Sequence, residues 1–411
     1  MHTNCRFCGH SAHHVVADLG MQPLSNALRA EKQSNDMERF YPLGALVCEH
    51  CLLVQAPGSE EASEIFSEHY PYFSSCSDTW LAHARDYARE VTGRFGLNGD
   101  SLVVEIACND GYLLRWFLAA GIPVLGVEPT LDTAQAARAL GIPVNVEFFG
   151  RAYATRLREQ GFAADLMPAN NVVAHVPDIN DFVGGFAILL KENGVATFEF
   201  HHALNLLEKL QFDTIYHEHF YYHSLTTFKQ ILEANGLALF DVEELPTHGG
   251  SLRVYAQRAD TGRHALSPRV AALLAKEREA GLDQLATYLD FNERVVARKQ
   301  EILQFLIDAK RAGKRIAAVG APAKGNTLLN YLGVRGDTVR YTVDHTPAKQ
   351  GMYLPGSHIP VKSPEQVFID RPDYLILLPW NWRDELMQKF AGIREWGGRF
   401  VVFCPEIEVI E

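Results

Sequence analysis

The chain has no long apolar run, no basic cluster and only seven cysteines in 411 residues, and each shortage closes off a class of function. Its longest apolar stretches, such as Phe186 to Leu190 and Tyr374 to Leu378, fall far below the roughly 18 to 20 residues of a bilayer span, so no transmembrane helix is predicted. Five basic residues never occur in a row, and 38 Lys plus Arg against 50 Asp plus Glu leave a formal net charge of -12. That balance opposes nucleic acid or an anionic membrane as the main partner. The opening residues, MHTNCRFCGH, lack an apolar h-region and carry two cysteines, which predicts no cleavable signal peptide and a cytoplasmic protein. No internal repeat and no heptad seam are found, so oligomeric state is left open.

What is present is ordinary for soluble globular protein: 47% apolar and 21% charged residues. At about 150 residues per domain the length suggests two or three domains.

Four cysteines form two C-x-x-C pairs, Cys5/Cys8 and Cys48/Cys51, with 39 residues between the inner members. Two such turns can present four thiolates to one tetrahedral ion, and zinc favours that soft set. A redox dithiol would need one C-x-x-C on a βαβ unit rather than two matching pairs. With four protein ligands no open position is left for water, so the predicted zinc is structural. His10 and His50 stand close enough to be rival ligands.

From Ser101 the pattern becomes Leu-Val-Val-Glu-Ile, then Ala107-Cys108-Asn109-Asp110-Gly111, then helical spacing through Tyr112, Leu113, Trp116 and Phe117. A second strand, Val124 to Val127, ends in Glu128, 17 residues past Gly111, where a carboxylate can accept from both ribose hydroxyls. The G-x-G-x-x-G of a dinucleotide site is missing, since only Gly111 remains, with acidic Glu105 and Asp110 in the loop. Carboxylates repel pyrophosphate and suit a cofactor with a cationic amino-acid end, which describes S-adenosylmethionine. The segment DLMPANNVVA, Asp165 to Ala174, predicts another strand end that turns Asn170 and Asn171 toward the same crevice.

Between Phe212 and Ser224 the chain reads FDTIYHEHFYYHS. His217 and His219 point apart on a helix and share a face only on a strand, so the helical H-E-x-x-H metal pattern does not apply. Histidine, largely neutral near pH 7, suits the role of a general base in such a cluster. From Ser267 to Ala312, apolar residues at helical intervals among many charges predict amphipathic helices. A further strand, Arg315 to Val319, runs into Gly320-Ala321-Pro322-Ala323-Lys324-Gly325-Asn326-Thr327, read as a turn opening a helix at Leu328. Asn326 stands where a Walker A loop needs Lys, so no ATPase follows, yet such a turn still makes an anion site. A strand from Arg340 to Val343 ends at Asp344, and Tyr374 to Leu378 continues the sheet.

Four motifs, Leu24-Ser25-Asn26-Ala27-Leu28 beside the cysteine module, Glu105 to Gly111, Tyr216 to His219 (YHEH) and Gly320 to Thr327, resemble the nucleotide-sugar C-methyltransferase family over nearly the whole chain. Members methylate a ring carbon of an NDP-keto-deoxysugar. The resemblance implies His219 as general base, Glu218 as the neighbour orienting base or sugar, and Tyr216 as a hydroxyl donor near the reacting carbon. It places His175 by the keto oxygen and Tyr70 in an aromatic segment capping the site. It assigns the cofactor to Glu105, Asn109, Asp110, Gly111, Glu128, Asn170 and Asn171. It puts Lys324, Asn326 and Thr327 near the substrate diphosphate, with Asp344 and Tyr222 as further substrate contacts and Lys349 and Gln350 near the base or ribose.

The predicted fold class is α/β, with two Rossmann-like doubly wound domains plus a small N-terminal zinc-binding module. The expected division is a zinc module at 1–70, a class I methyltransferase domain binding S-adenosylmethionine at 71–260, a helical connector at 261–312, and a Rossmann-like domain at 313–411 for the sugar nucleotide. The expected activity is methylation of a ring carbon beside the ketone, C-3, of a thymidine- or guanosine-linked 4-keto-6-deoxyhexose through an enolate. An O- or N-methyltransferase on the same substrate explains fewer of the Tyr and His groups. A NAD-dependent oxidoreductase is opposed by the missing Tyr-x-x-x-Lys, and an inert scaffold by the acidic charge and the crowded 216–223 segment.

Overall fold

The computed structural model describes residues 3–33, 36–57 and 73–411. Three sheets organise them. In the N-terminal module the strands Thr3–Asn4, Ser11–Gln22, Tyr41–Cys48 and Val54–Gln55 run antiparallel, and Tyr221–Tyr222 adds a fifth strand by pairing with Val54 and Gln55. This sheet packs against a core on each side. Val16, Leu19, Ala45 and Val47 pack toward the C-terminal fold and the connecting helices, while Ala12, Cys48 and Leu53 pack toward the central fold.

The central sheet has seven strands in the order Leu237–Leu245, Ser251–Arg258, Leu190–His201, Ala164–Asn170, Val103–Ile106, Val124–Val127 and Val144–Asn145. The last five are parallel, and Ser251–Arg258 is antiparallel to both its neighbours. Continuous apolar strands such as Val124–Val127 suit this position because helices cover both faces. Strand order reverses between Val103–Ile106 and Ala164–Asn170, and such a switch opens a crevice outside the carboxyl ends of the strands. The chain turns tightly there. Gly111 has φ +78°, and a Cβ on it would meet Ile142 Cδ1 at 2.5 Å.

The third sheet runs Val361–Lys362, Thr342–Val343, Ile316–Val319, Tyr374–Leu377 and Arg399–Val402, all parallel, with Glu408–Ile410 antiparallel at its edge. Its own reversal lies between Ile316–Val319 and Tyr374–Leu377. The architecture is thus α/β, two Rossmann-like folds plus a small cysteine-bearing module.

Between the two folds run the helices Pro268–Glu279, Ala286–Leu289 and Phe291–Arg311. The last buries Phe291, Val295, Ile302 and Leu306 and leaves its charged residues outward, which is the amphipathic face that the spacing predicts. Pro268–Glu279 contributes Glu277, whose carboxylate accepts from His202 and from the amides of Leu225 and Thr226 at a helix start. None of the described helices is long and apolar enough to cross a membrane.

Candidate active site

The four cysteines converge. Cys5 and Cys51 sulfurs lie 3.6 Å apart, as do those of Cys8 and Cys48, and all four fall within 4.8 Å of one another. A tetrahedral zinc with bonds of about 2.3 Å sets its sulfurs about 3.8 Å apart, so the set fits the ion. His10 and His50 stack on each other at the surface, 3.9 Å between centroids, and the thiol set is complete without them.

A cavity of about 920 Å³ lies between the two Rossmann-like folds and is lined by both. On the central side the first loop passes through left-handed backbone at Ala107 and Asn109, with φ of 57° and 49°. Glu128 ties this loop to the second strand, accepting the amides of Asn109 (2.9 Å) and Thr130 (3.0 Å). Its carboxylate is buried, which raises its pKa, and it stands in the cavity wall with Asn109, Asn170 and Asn171. Asn170 Oδ1 is buried with no protein partner among the described residues, and it suits a cationic donor.

Three expected cofactor contacts lie elsewhere. Glu105 is fully buried beneath the loop, and burial pushes its carboxyl well above the usual range, so it offers no charge to a ligand. Asp110 turns back to accept Ser75 N at 3.0 Å and the Ser75 hydroxyl at 2.5 Å, while Asn109 Oδ1 accepts Ser74 N at 2.9 Å. These three bonds hold the 73–77 segment over the crevice. Gly111 serves the turn. None of the three is in the wall. The carboxylates therefore shape the loop, and the cation-binding role read from their charge is not theirs.

The 214–223 segment enters from the side, held because Phe220 bonds both Ala174 and Ala56 through its backbone before joining the N-terminal sheet. His219 Nδ1 lies 2.8 Å from the carbonyl oxygen of Thr214. A carbonyl only accepts, so Nδ1 carries the proton and Nε2 keeps a free lone pair. Burial, then the neighbouring His175, hold the His219 imidazole well below the ordinary histidine range. The Tyr216 ring packs 3.9 Å from it and the His175 ring 4.7 Å, and burial lowers His175 to about 4. Glu218 Oε1 accepts from Asn26 Nδ2 at 2.5 Å. Tyr216, Glu218, His219, His175 and Tyr222 all line the cavity, whereas His217 sets its ring edge toward Tyr41. Tyr70 lies outside the described residues.

On the C-terminal side the helix begins at Ala323, not at Leu328, because Pro322 caps it in extended conformation. Lys324 therefore sits in the first turn and reaches the cavity, its Nζ 2.9 Å from Asn381 Oδ1 and 4.6 Å above the Trp380 ring. Asn326 and Thr327 are inside the helix, buried away from the cavity, and Thr327 Oγ1 meets Ser25 Oγ at 3.2 Å. They cannot touch a ligand there. Asp344 accepts the amides of Ala321 and Thr346, each at 2.8 Å, and lines the cavity. Lys349 Nζ donates to the Ala321 carbonyl at 3.0 Å, and Gln350 Nε2 to the Asp344 carbonyl at 2.9 Å.

Sequence reasoning missed several wall residues. Trp80, His201, His248 and Trp382 are scattered along the chain, and none belongs to a motif. His201 bonds Gln211 Oε1 at 2.6 Å, and burial lowers it to about 3.

Residues 246–405 match the family described as the C-methyltransferase C-terminal domain, 79–242 a methyltransferase domain, and 5–66 a zinc binding domain. The C-methyltransferase NovU of Streptomyces niveus is 36% identical over 409 residues, covering 99% of this chain and 96% of that protein. The chain belongs to the C-methyltransferase family. A ubiquinone biosynthesis O-methyltransferase of Rhodopseudomonas palustris (strain HaA2) is 26% identical over 114 residues, 28% of this chain and 45% of its own length. Among solved structures, magnesium protoporphyrin IX methyltransferase (ChlM) of Synechocystis PCC 6803 with bound SAM aligns at 16% identity and a TM-score of 0.33, over 48% of this chain and 88% of that one.

This C-methyltransferase is an enzyme that depends on S-adenosylmethionine and carries a structural zinc on Cys5, Cys8, Cys48 and Cys51. The zinc stands apart from the cavity, since none of the four cysteines lines it.

Proposed function

We propose that this enzyme methylates the ring carbon beside the ketone, C-3, of an NDP-linked 4-keto-6-deoxyhexose through an enolate, in the cytoplasm. The observation that carries the reading is His219: neutral, with Nδ1–H spent on Thr214 and Nε2 unprotonated, in the wall of a cavity shared by two nucleotide folds. Bound S-adenosylmethionine supplies an electrophilic methyl on a sulfonium. Glu128 would receive its ribose hydroxyls, and Asn109, Asn170 and Asn171 its amino-acid end.

Across the cavity, Asp344 offers a second ribose carboxylate, while Lys324 and the first turn of the Ala323–Leu332 helix form an anion site for the diphosphate. His219 Nε2 removes the proton alpha to the ketone. Tyr216, beside the His219 ring, donates to the oxygen where negative charge develops, while His175, a neutral imidazole whose one N–H goes to the Glu218 backbone, packs against the base. Burial favours this proton transfer only while charge forms on both partners together, because the imidazolium is stabilised by the enolate it creates. On this reading 1–70, 71–260, 261–312 and 313–411 work as zinc module, cofactor fold, connector and sugar-nucleotide fold.

The test incubates the protein with S-adenosylmethionine and a panel of thymidine- and guanosine-linked 4-keto-6-deoxy sugars in deuterated buffer. A carbon-bound methyl with S-adenosylmethionine present, and solvent deuterium entering C-3 of the unmethylated sugar when the cofactor is omitted, both lost with His219→Asn, are the expected result. Exchange that survives His219→Asn assigns the base elsewhere, and no transfer to any sugar rejects the substrate class.

A further inference from the structure

The N-terminal module does more than hold a metal. Its Leu24–Leu28 turn follows the strand Ser11–Gln22 and is closed by Ala27 N to Leu24 O (3.1 Å) and Leu28 N to Asn26 O (2.9 Å). The C-terminal fold grips this turn. Ser25 Oγ meets Thr327 Oγ1 at 3.2 Å on one side, and on the other Arg29 and Tyr353 exchange backbone hydrogen bonds of 3.0 and 2.8 Å. Glu38 adds two more ties, accepting from Gly356 N and His358 Nε2 at 2.8 Å each. Asn26, between these anchors, stands in the cavity wall, where its carboxamide donates to Glu218 Oε1 at 2.5 Å.

We infer that Asn26 is a positioning residue for the reaction, holding the Glu218 carboxylate in the one orientation that faces the substrate next to His219. This rests on the reading of Glu218 as a working carboxylate given above. A carboxylate as buried as Glu218, 6% exposed, needs donors to stay in place, and a neutral amide supplies one without adding a competing base. His219 is the next residue in a turn closed by His219 N to Tyr216 O at 2.8 Å, so a shift of Glu218 is felt at the base. The site is thereby complete only when the zinc module is seated on the C-terminal fold, because Asn26 comes from the former and is aimed by the latter.

The experiment uses the full zinc-loaded chain as wild type, Asn26→Ala and Asn26→Asp, with Asn26→Ser replacing either variant that loses zinc. Zinc content, melting temperature and S-adenosylmethionine affinity are expected to match wild type. With an accepted keto-deoxy sugar nucleotide, kcat is expected to fall by about ten- to a hundredfold while KM stays within about threefold, as for a lost charge-assisted hydrogen bond. Asn26→Asp is expected to fall further than Asn26→Ala, since it sets a like charge against Glu218.

A second readout needs no turnover. In protein carrying 13C at the Glu side-chain carboxyl, the Glu218 resonance, assigned with Glu218→Gln, is expected to move in the Asn26 variants. Unchanged kcat together with an unmoved resonance overturns the inference. If no sugar in the panel is methylated by wild type, the functional reading fails on its own, and the resonance alone decides Asn26: movement supports its hold on Glu218 and constancy rejects it.

Discussion

Glu128 and Asp344 occupy equivalent places in the two folds. Each follows the second strand of its sheet, each accepts one backbone amide from the loop after the first strand and another from the residue two positions on, and both face the same cavity. A carboxylate bound to backbone on one side keeps its other lone pairs for a ligand, which is how a ribose is held at a strand end. The doubling is expected to be separable. Glu128→Ala weakens S-adenosylmethionine binding by about ten- to a hundredfold and leaves the nucleoside diphosphate unaffected, while Asp344→Ala does the reverse, as read by calorimetry with each ligand alone. Equal losses of both ligands in either variant would contradict separate sites.

The acid limb of the rate profile tests His219. Burial and His175 depress its pKa, so the neutral, base-competent form persists as pH falls through about 6.5, the ordinary histidine value. The limb of kcat/KM is therefore expected well below that value, with His219→Asn costing about a hundred- to ten-thousandfold in kcat. A limb centred near about 6.5 would point to an exposed histidine as the base.

Neutral histidines in and beside the cavity also set the acid stability. His201 and His223 are held near about 3 and His175 and His248 near about 4, all by burial. Unfolding lets each bind a proton near about 6.5, so their contribution is fully present above that pH and is lost as pH falls toward the folded values. Unfolding free energies from urea titrations between pH 7 and pH 4 are expected to drop steeply, by about 1.4 kcal/mol per pH unit for each such histidine. The ring of His223 is packed among Phe200, Tyr221 and Phe228. His223→Phe should flatten the slope by one proton's worth. An unchanged slope would mean that His223 is protonated in the folded protein.

Removing the metal should unfasten the module. Cys48→Ser is expected to abolish the single tightly held zinc per chain, seen by elemental analysis, and to destabilise the protein by about 3 kcal/mol or more, since structural zinc contributes directly to folding. Methyl transfer should fall with it, because Asn26 reaches the cavity from that module. Full activity in zinc-free Cys48→Ser protein would separate the module from the reaction.

Much of this was readable along the chain for physical reasons. Parallel strands covered on both faces are near-continuously apolar, so Val124–Val127 and Tyr374–Leu377 announce themselves, as does Val103–Ile106 despite its one Glu, and so do matched C-x-x-C pairs. The start of the helix at Ala323 was not readable, because Gly325 and Asn326 look like loop while the Pro322 cap and tertiary burial make them helical. Nor was the burial of Glu105, which sequence spacing alone sets beside a ligand.

By itself, then, the sequence determined two strand-turn-helix folds, four zinc thiolates and the YHEH segment, because each depends on neighbours within a few residues. Only the tertiary structure decided that Tyr221–Tyr222 joins a sheet begun at Thr3, that Asn26 meets Glu218 across 192 positions, and that His175 and His219 lie in contact. Those pairings are chosen by the free energy of burying the shared core, a property of surfaces brought together by the whole fold and absent from any local stretch of chain.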